Sequence, residues 1–378
     1  MKTIKILMGL ALTLIASFTF AGSSDLVNLF ASHGADSLVT FAGSSILATV
    51  GLSLSSVRDE LGSYTRDNNT EIRDMVYTKS QAQKYMRTVT KIKGEYPATH
   101  TVTDRLVQGF ASVWNAKGLT TFKTNILKSY HQKVNFKFTP ADVLSSWLGF
   151  LYDEKLSKED MPISKYIMDK VLAPAVERDI EYLCGKGVYD ANDLATFGKS
   201  MDGLVELLKD GVASSTKPMY KIPLATLTSS NILAQIERFE DNIPVEVSGM
   251  IDKIYMSATN AKMYRRAARA AYGTMQDFTK DTVHRTVDGD REIVGLVCLN
   301  GYDNVFATPD ENFLKLIDAV DNPPAINDIQ VADYDVKVFM EFHLGIGFYI
   351  NQMVIASVNA GSGSGLTTDN DVYYSSGV

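Results

Sequence analysis

Apolar positions recur most regularly between Phe138 and Tyr189. Thr139-Pro140-Ala141-Asp142 reads as a helix start: Thr139 can cap free backbone N–H groups, Pro140 suits the first helical position, and Asp142 can reach back from the third. Val143, Leu144, Trp147, Leu148, Leu151 and Tyr152 then follow at helical spacing, which predicts a helix with one buried face anchored by Trp147. After a polar break at Ser157 to Asp160, Ile163, Ile167, Val171, Val176, Ile180 and Leu183 form a longer stripe, closed by Gly185 at an expected C′ position. Pro174 lacks an N–H, so a kink or short break is expected near Lys170 to Pro174. Trp147, Leu148, Leu151 and Ile167 are the expected core of this spine, and Asp169, Lys170, Glu177, Arg178, Asp179 and Glu181 read as its solvated face.

Upstream, Thr88 to Ile92, Thr99 to Val107, Thr121 to Tyr130 and Val134 to Phe138 read as strands, with turns at Lys93-Gly94, Asn115 to Gly118 and His131-Gln132-Lys133. Val134, Phe136 and Phe138 alternate with Asn135 and Lys137, the mark of a strand with one buried face. Paired strands outside a main core need something else to pack on. Gly22 to about Tyr85 is Ser, Ala and Gly rich and then charged, and reads as a loosely specified arm with short helices.

Downstream, the chain to about Asp303 reads as a mixed α/β lobe. Helices are expected over Met201 to Leu208, Ser229 to Asn242 and Ala261 to Phe278, and strands over Lys253 to Met256 and Ile293 to Leu299. Thr308-Pro309-Asp310-Glu311 resembles a second helix start, running through Leu316. Asp335 to Phe342 alternates, with Ile346 to Ala356 as its expected partner, and the Gly- and Ser-rich tail from Asn359 is expected to be disordered.

At the amino terminus Lys2 and Lys5 precede the apolar run Ile6 to Ala16, and Thr19-Phe20-Ala21 follows: the pattern of a secretory signal peptide. The run is shorter than the roughly 20 residues of a bilayer span, and no other stretch approaches that length.

Composition sets the broad class. A chain of 378 residues suggests two lobes, and 45% hydrophobic with 21% charged residues is ordinary for a globular protein. A net charge of −7 argues against an obligate nucleic-acid binder but leaves local patches open. The densest cation cluster, Lys262, Arg265, Arg266 and Arg269, lies at one-face helical spacing and reads as a solvated or subunit-facing stripe, or as a phosphate or nucleic-acid contact. Cys184 and Cys298 lack a CxxC or zinc spacing and are expected to be buried thiols. The five histidines are scattered, and neither a G-x-S-x-G nucleophile nor a Walker-type loop is present, so no enzyme activity, cofactor or metal is expected.

A family resemblance is carried by an ordered series of short motifs. These are Ile92-Lys93-Gly94-Glu95-Tyr96, Val107-Gln108, Trp114 with Lys117-Gly118, Tyr130 to Phe136, Pro140 to Val143, Ser146 to Leu151, Met161-Pro162-Ile163, Gly185-Lys186-Gly187 and Phe306 to Phe313. Over about Lys91 to Ala356 the chain resembles the major capsid protein of tailed phages of Bacteroidota, including the crAss-like group. The resemblance implies an α+β Hong-Kong-97-type capsid fold: a signal-like segment (1–21), an N-terminal arm (22–86), an extended β-hairpin loop (87–138), a peripheral domain with a long spine helix (139–188 and 304–358), an axial α/β domain (189–303) and a flexible tail (359–378). It implies a virion shell protein that self-assembles into hexamers and pentamers of an icosahedral head in the host cytoplasm. The partners would be itself, portal, scaffold and other head proteins, and packaged double-stranded DNA bound non-specifically, with no membrane in the mature particle. Candidate subunit contacts are Trp114, Lys117, Gly118, His131, Lys262, Arg265, Arg266 and Arg269. The signal-like start departs from this pattern, through a start codon placed too far upstream, an apolar arm removed or buried at maturation, or true export. The alternatives are an exported ligand-binding or surface protein of a Bacteroidota cell, and a nanocompartment shell protein.

Overall fold

The computed structural model describes residues 53–103, 106–118, 120–273, 284–288, 291–319, 325–368 and 373–374. The signal-like segment and the first part of the expected arm lie outside these residues. The described chain opens with two helices, α1 (Leu54–Asp67) and α2 (Asn69–Tyr77). Ser53 starts α1 with a reciprocal cap: its hydroxyl accepts from the Ser56 N–H at 3.0 Å, and its own N–H donates to Ser56 Oγ at 2.9 Å. These helices are not a loose arm. Val57, Leu61, Ile72, Met75, Val76 and Tyr77 are buried in the largest core, because residues three and four apart share a face that the spine covers.

The spine consists of α3 (Pro140–Glu154), α4 (Ile163–Tyr166), a π turn (Ile167–Leu172) and α5 (Ala173–Lys186). α3 begins where expected, but Thr139 does not cap it: its hydroxyl donates to Asp335 Oδ1 at 2.8 Å, tying the helix start to the neighbouring strand. Leu144, Trp147, Leu151 and Ile167 are buried and Leu148 is half-buried, whereas Tyr152 faces solvent. The π turn sits just before Pro174, where an α-helix would want an N–H that proline lacks. Its extra residue changes the apolar step from four to five, so Leu172 joins Ile167, Val176 and Ile180 in the core and Val171 is left exposed. Gly185 does not end the helix, which continues to Lys186 with Gly187 as its cap. A Cβ on Gly185 would lie 2.5 Å from the Cys298 carbonyl oxygen, so glycine serves close approach there.

The charged face of the spine is only partly solvated. Tyr64 donates to Asp169 at 3.1 Å, Lys79 pairs with Glu177 at 3.5 Å, and Ser80 Oγ donates to Glu181 at 2.5 Å. α1, α2 and the segment after them therefore cover it, while Arg178 and Asp179 stay at the surface.

The larger sheet contains β1 (Arg87–Val89), β4 (Tyr130–Phe138), β9 (Phe313–Ile317), β10 (Ala325–Ala332) and β11 (Asp335–Phe348). β11 is its axis. Val336, Val338, Met340, Phe342 and Leu344 alternate into the core. β4 pairs antiparallel to it from Val336↔Phe138 to Leu344↔Tyr130, which places His131-Gln132-Lys133 inside a strand and not in a turn. β9 occupies the stretch expected to be a helix. Only Asp310–Asn312 form a 3-10 turn, because all of Phe313–Ile317 is buried and its backbone is shared between β1 and β11. Ile346 to Phe348 continue β11, so the expected hairpin with Ile346 to Ala356 does not form. β12 (Ile355–Asn359) crosses to the other sheet.

That smaller sheet runs β5 (Tyr220–Leu224), β12, β8 (Phe306–Ala307), β6 (Lys253–Ser257) and β7 (Glu292–Leu296). Its core is shared with α7 (Ile232–Asp241), α8 (Val245–Ser248) and α9 (Ala258–Tyr272), while α6 (Leu204–Ala213) packs on the larger core. Arg291, almost fully buried, pairs with Glu240 at 2.6 Å and donates to Ser248 and to the Ile251 carbonyl, tying β7 to α7 and α8. The two sheets meet at an aromatic cluster in which Tyr255 and Phe306 of the smaller sheet stand edge-on to Phe313 of the larger one at 5.9 and 6.1 Å, and Phe306 to Phe348 at 6.1 Å. The tail after Asn359 is ordered where described: Gly365 bridges Lys221 on the edge of β5, Leu366 is buried, and Tyr374 packs edge-on against Tyr220 at 4.9 Å.

Candidate assembly surfaces

β2 (Glu95–Thr103) and β3 (Thr120–Lys128) form an antiparallel hairpin of their own, in register from Glu95↔Lys128 to Thr103↔Thr120. Its root is fixed by packing: Ala98 and Leu127 are buried against Leu314 and Leu316 of β9. Gly345 of β11 lets the root cross, since a Cβ there would lie 2.2 Å from the Lys128 carbonyl oxygen. Side chains reinforce the joint. Asn125 Nδ2 donates to the Phe348 carbonyl at 2.8 Å, and the Tyr349 hydroxyl donates to the Thr99 carbonyl at 2.6 Å. His100 Nε2 lies 2.7 Å from the Tyr373 hydroxyl, and Lys123 sits 5.4 Å from the same ring centroid.

The far end has the opposite character. Val107 (95% exposed), Phe110 (100%) and Trp114 (87%) stand in solvent beside Leu106 and Val113, with Lys117 and Gly118 next to them. Gly118 takes φ +83°, a left-handed conformation that suits glycine. Nothing in the described chain covers this end. Trp114, Lys117 and Gly118, offered by the family resemblance as candidate subunit contacts, all lie at this end. Leu106 and Val107 were read as the end of a strand that stops at Thr103, and Phe110 and Val113 were not singled out, because they lack a period; clustered apolar residues in a turn-rich stretch were the available signal.

His131 is elsewhere, on β4, stacked on His343 directly across the strand pair with ring centroids 4.5 Å apart and with Nε2 3.2 Å from Glu341 Oε2. Burial, reinforced by the neighbouring His131, holds the His343 imidazole below the usual histidine range. Lys262, Arg265, Arg266 and Arg269 occupy a third place, the exposed face of α9, whose other face buries Ala261, Tyr264 and Ala268. Ser257 caps that helix by accepting from the Asn260 N–H at 3.1 Å. The eight candidate contact residues thus fall on three separate surfaces. Among the described residues no group of three or more His, Cys, Asp or Glu side chains is arranged to hold a metal ion. Both thiols are buried, and burial pushes Cys184 up to about 12 and raises Cys298 as well.

No protein-family model matches this chain, and no curated protein does. Solved structures do. A chain of the satellite phage P4 procapsid that includes the size determination protein aligns over 82% of this chain and 99% of its own, with 8% identity and a TM-score of 0.51. This is a phage-capsid fold, of mixed α+β, Hong-Kong-97-like class. The cyanophage A-1(L) capsid is similar over 76% of the chain and 94% of its own, at 13% identity and a TM-score of 0.49. An encapsulin complex from Synechococcus elongatus is similar over 75% and 89%, at 7% identity and a TM-score of 0.44.

Proposed function

We propose that this chain is the major capsid protein of a tailed double-stranded DNA phage infecting Bacteroidota, of the crAss-like group. It is a structural, non-enzymatic subunit that assembles with itself into the hexamers and pentamers of an icosahedral head, alongside portal and scaffold, in the host cytoplasm. In this reading residues 87–138 carry the extended loop, 139–188 and 304–358 the peripheral domain, and 189–303 the axial domain. The observation that carries it is the hairpin, whose root is locked into the subunit while its apolar end has no cover of its own. Burying a side chain such as Phe110 or Trp114 on a neighbour contributes about 1.5 to 3 kcal/mol each, and a symmetric shell repeats that contact at every subunit.

The test is expression of the full chain with size-exclusion chromatography and electron microscopy. Capsomers or closed particles are expected, and deletion of residues 106–118 should leave a folded subunit that forms neither. Particles enclosing protein cargo instead of nucleic acid would replace the phage reading with the nanocompartment one. A processed, soluble periplasmic monomer would overturn the shell reading and favour an exported protein.

A further inference from the structure

α9 is out of character with the rest of the chain. Across Ala258–Tyr272 there are four cations and no Asp or Glu, in a protein of net charge −7. Lys262, Arg265, Arg266 and Arg269 are separated by three, one and three residues, so they form one stripe, and all four are exposed. The stripe runs about 10 Å along the helix axis, a length over which duplex DNA presents about six phosphate charges. No carboxylate lies within ion-pair distance of Lys262, Arg265 or Arg266 among the described residues. Arg265 instead turns Nη1 toward His284 Nε2 at 3.0 Å, and Arg269 has a contact of its own. Burial and the adjoining Arg265 cation both hold the His284 imidazole below its usual range, so it is less readily protonated than a free histidine beside the stripe.

Two partners have the right charge: a polyanion, or an acidic face of another subunit. Protein interfaces carry an apolar centre enriched in aromatic residues. Between the cations α9 presents the half-buried Met263 and Ala267, Tyr264 is turned into the core, and the exposed Tyr272 stands past the stripe at the helix end. A phosphate backbone asks only for accessible cations, and arginine, three of the four here, matches its oxygens in bidentate fashion. We infer that the exposed face of α9 is a sequence-independent contact for the phosphate backbone of double-stranded DNA, and that this side of the smaller lobe faces the interior of the shell. The choice of duplex DNA among polyanions and the orientation of the lobe rest on the capsid reading; the phosphate contact itself does not.

The experiment is fluorescence anisotropy of a random-sequence DNA duplex with the purified full-length protein, titrated between 50 and 200 mM salt. Four phosphate contacts give a log–log slope of about −3.6, a loss of affinity on the order of a hundredfold across that range. Lys262 and Arg266 have no other partner in the described structure, so K262Q/R266Q removes two contacts with least damage to the fold. Its slope should fall to about −1.8, leaving about a tenfold loss over the same range, with the melting temperature unchanged. K262R/R266K should restore the slope, and K158Q, an exposed cation on the spine side, should not alter it. An unchanged slope in K262Q/R266Q would overturn the inference, as would unaltered DNA binding combined with failure of that variant to form particles, which would make the stripe a subunit contact. Because duplex binding is read without requiring particles, a chain that binds through α9 and never assembles would overturn the capsid reading alone.

Discussion

Replacing Trp147 by alanine removes the side chain that joins α3 to the turn leading into α4. The indole is 3% exposed and its Nε1 donates to the Met161 carbonyl at 2.9 Å, with Met161 itself buried. Truncating a buried Trp costs about 3 to 5 kcal/mol through lost contacts and the cavity left behind. Losing the N–H also strands a buried carbonyl, a further cost of about 1 kcal/mol or more. These overlap, so a loss of about 4 kcal/mol is expected, a large share of a total stability of about 5 to 15 kcal/mol. Trp147→Phe keeps an aromatic ring and loses the donor, and should cost roughly 1 to 2 kcal/mol. The assay is urea unfolding of the unassembled subunit, followed by circular dichroism and by fluorescence. The chain has two tryptophans, and Trp114 is exposed, so in a Trp114→Phe background the emission reports Trp147 alone and should be blue-shifted until the subunit unfolds. A Trp147→Ala loss below about 1 kcal/mol, or emission at the wavelength of a solvated indole, would refute this placement of the helix.

Gly185→Ala should destabilise by about 1 to 3 kcal/mol in the same urea assay, since its Cβ would lie 2.5 Å from the Cys298 carbonyl, whereas Gly149→Ala, with no atom within 4 Å, should be neutral or slightly stabilising. Cys184 and Cys298 should resist a thiol reagent at pH 8 in the folded subunit and react once denatured, because burial suppresses both thiolates. Burial holds His343 below the ordinary histidine range of about 6.5 in the folded state, so the unfolded chain binds more protons as the pH falls through that range. Its contribution is therefore complete above that range and declines below it: melting temperature should fall between pH 7.5 and 5.5, and His343→Gln should flatten the decline.

Short-range chemistry was legible in the sequence. The start of α3 at Pro140, the alternation of β11 and the burial of both cysteines follow from local rules: a proline fits a first helical turn, and a period of two commits one face of a strand. The stretch Phe313–Ile317 was not legible as a strand, because a capping motif with an apolar run fits a helix equally well until β1 and β11 supply hydrogen-bond partners on both sides. The same holds for α1 and α2, whose apolar residues look sparse among charges until the spine provides the surface that buries them, and for the tail, which is ordered only because the edge of β5 and the ring of Tyr220 lie where it passes. Among the candidate contacts, charge patterning alone put the α9 cations on the surface, whereas Trp114 was offered only by the family resemblance. Only the tertiary structure separated them, one group at the end of a hairpin and the other on a helix of the smaller lobe, because the distance between two surfaces depends on how the sheets cross and no local periodicity encodes that.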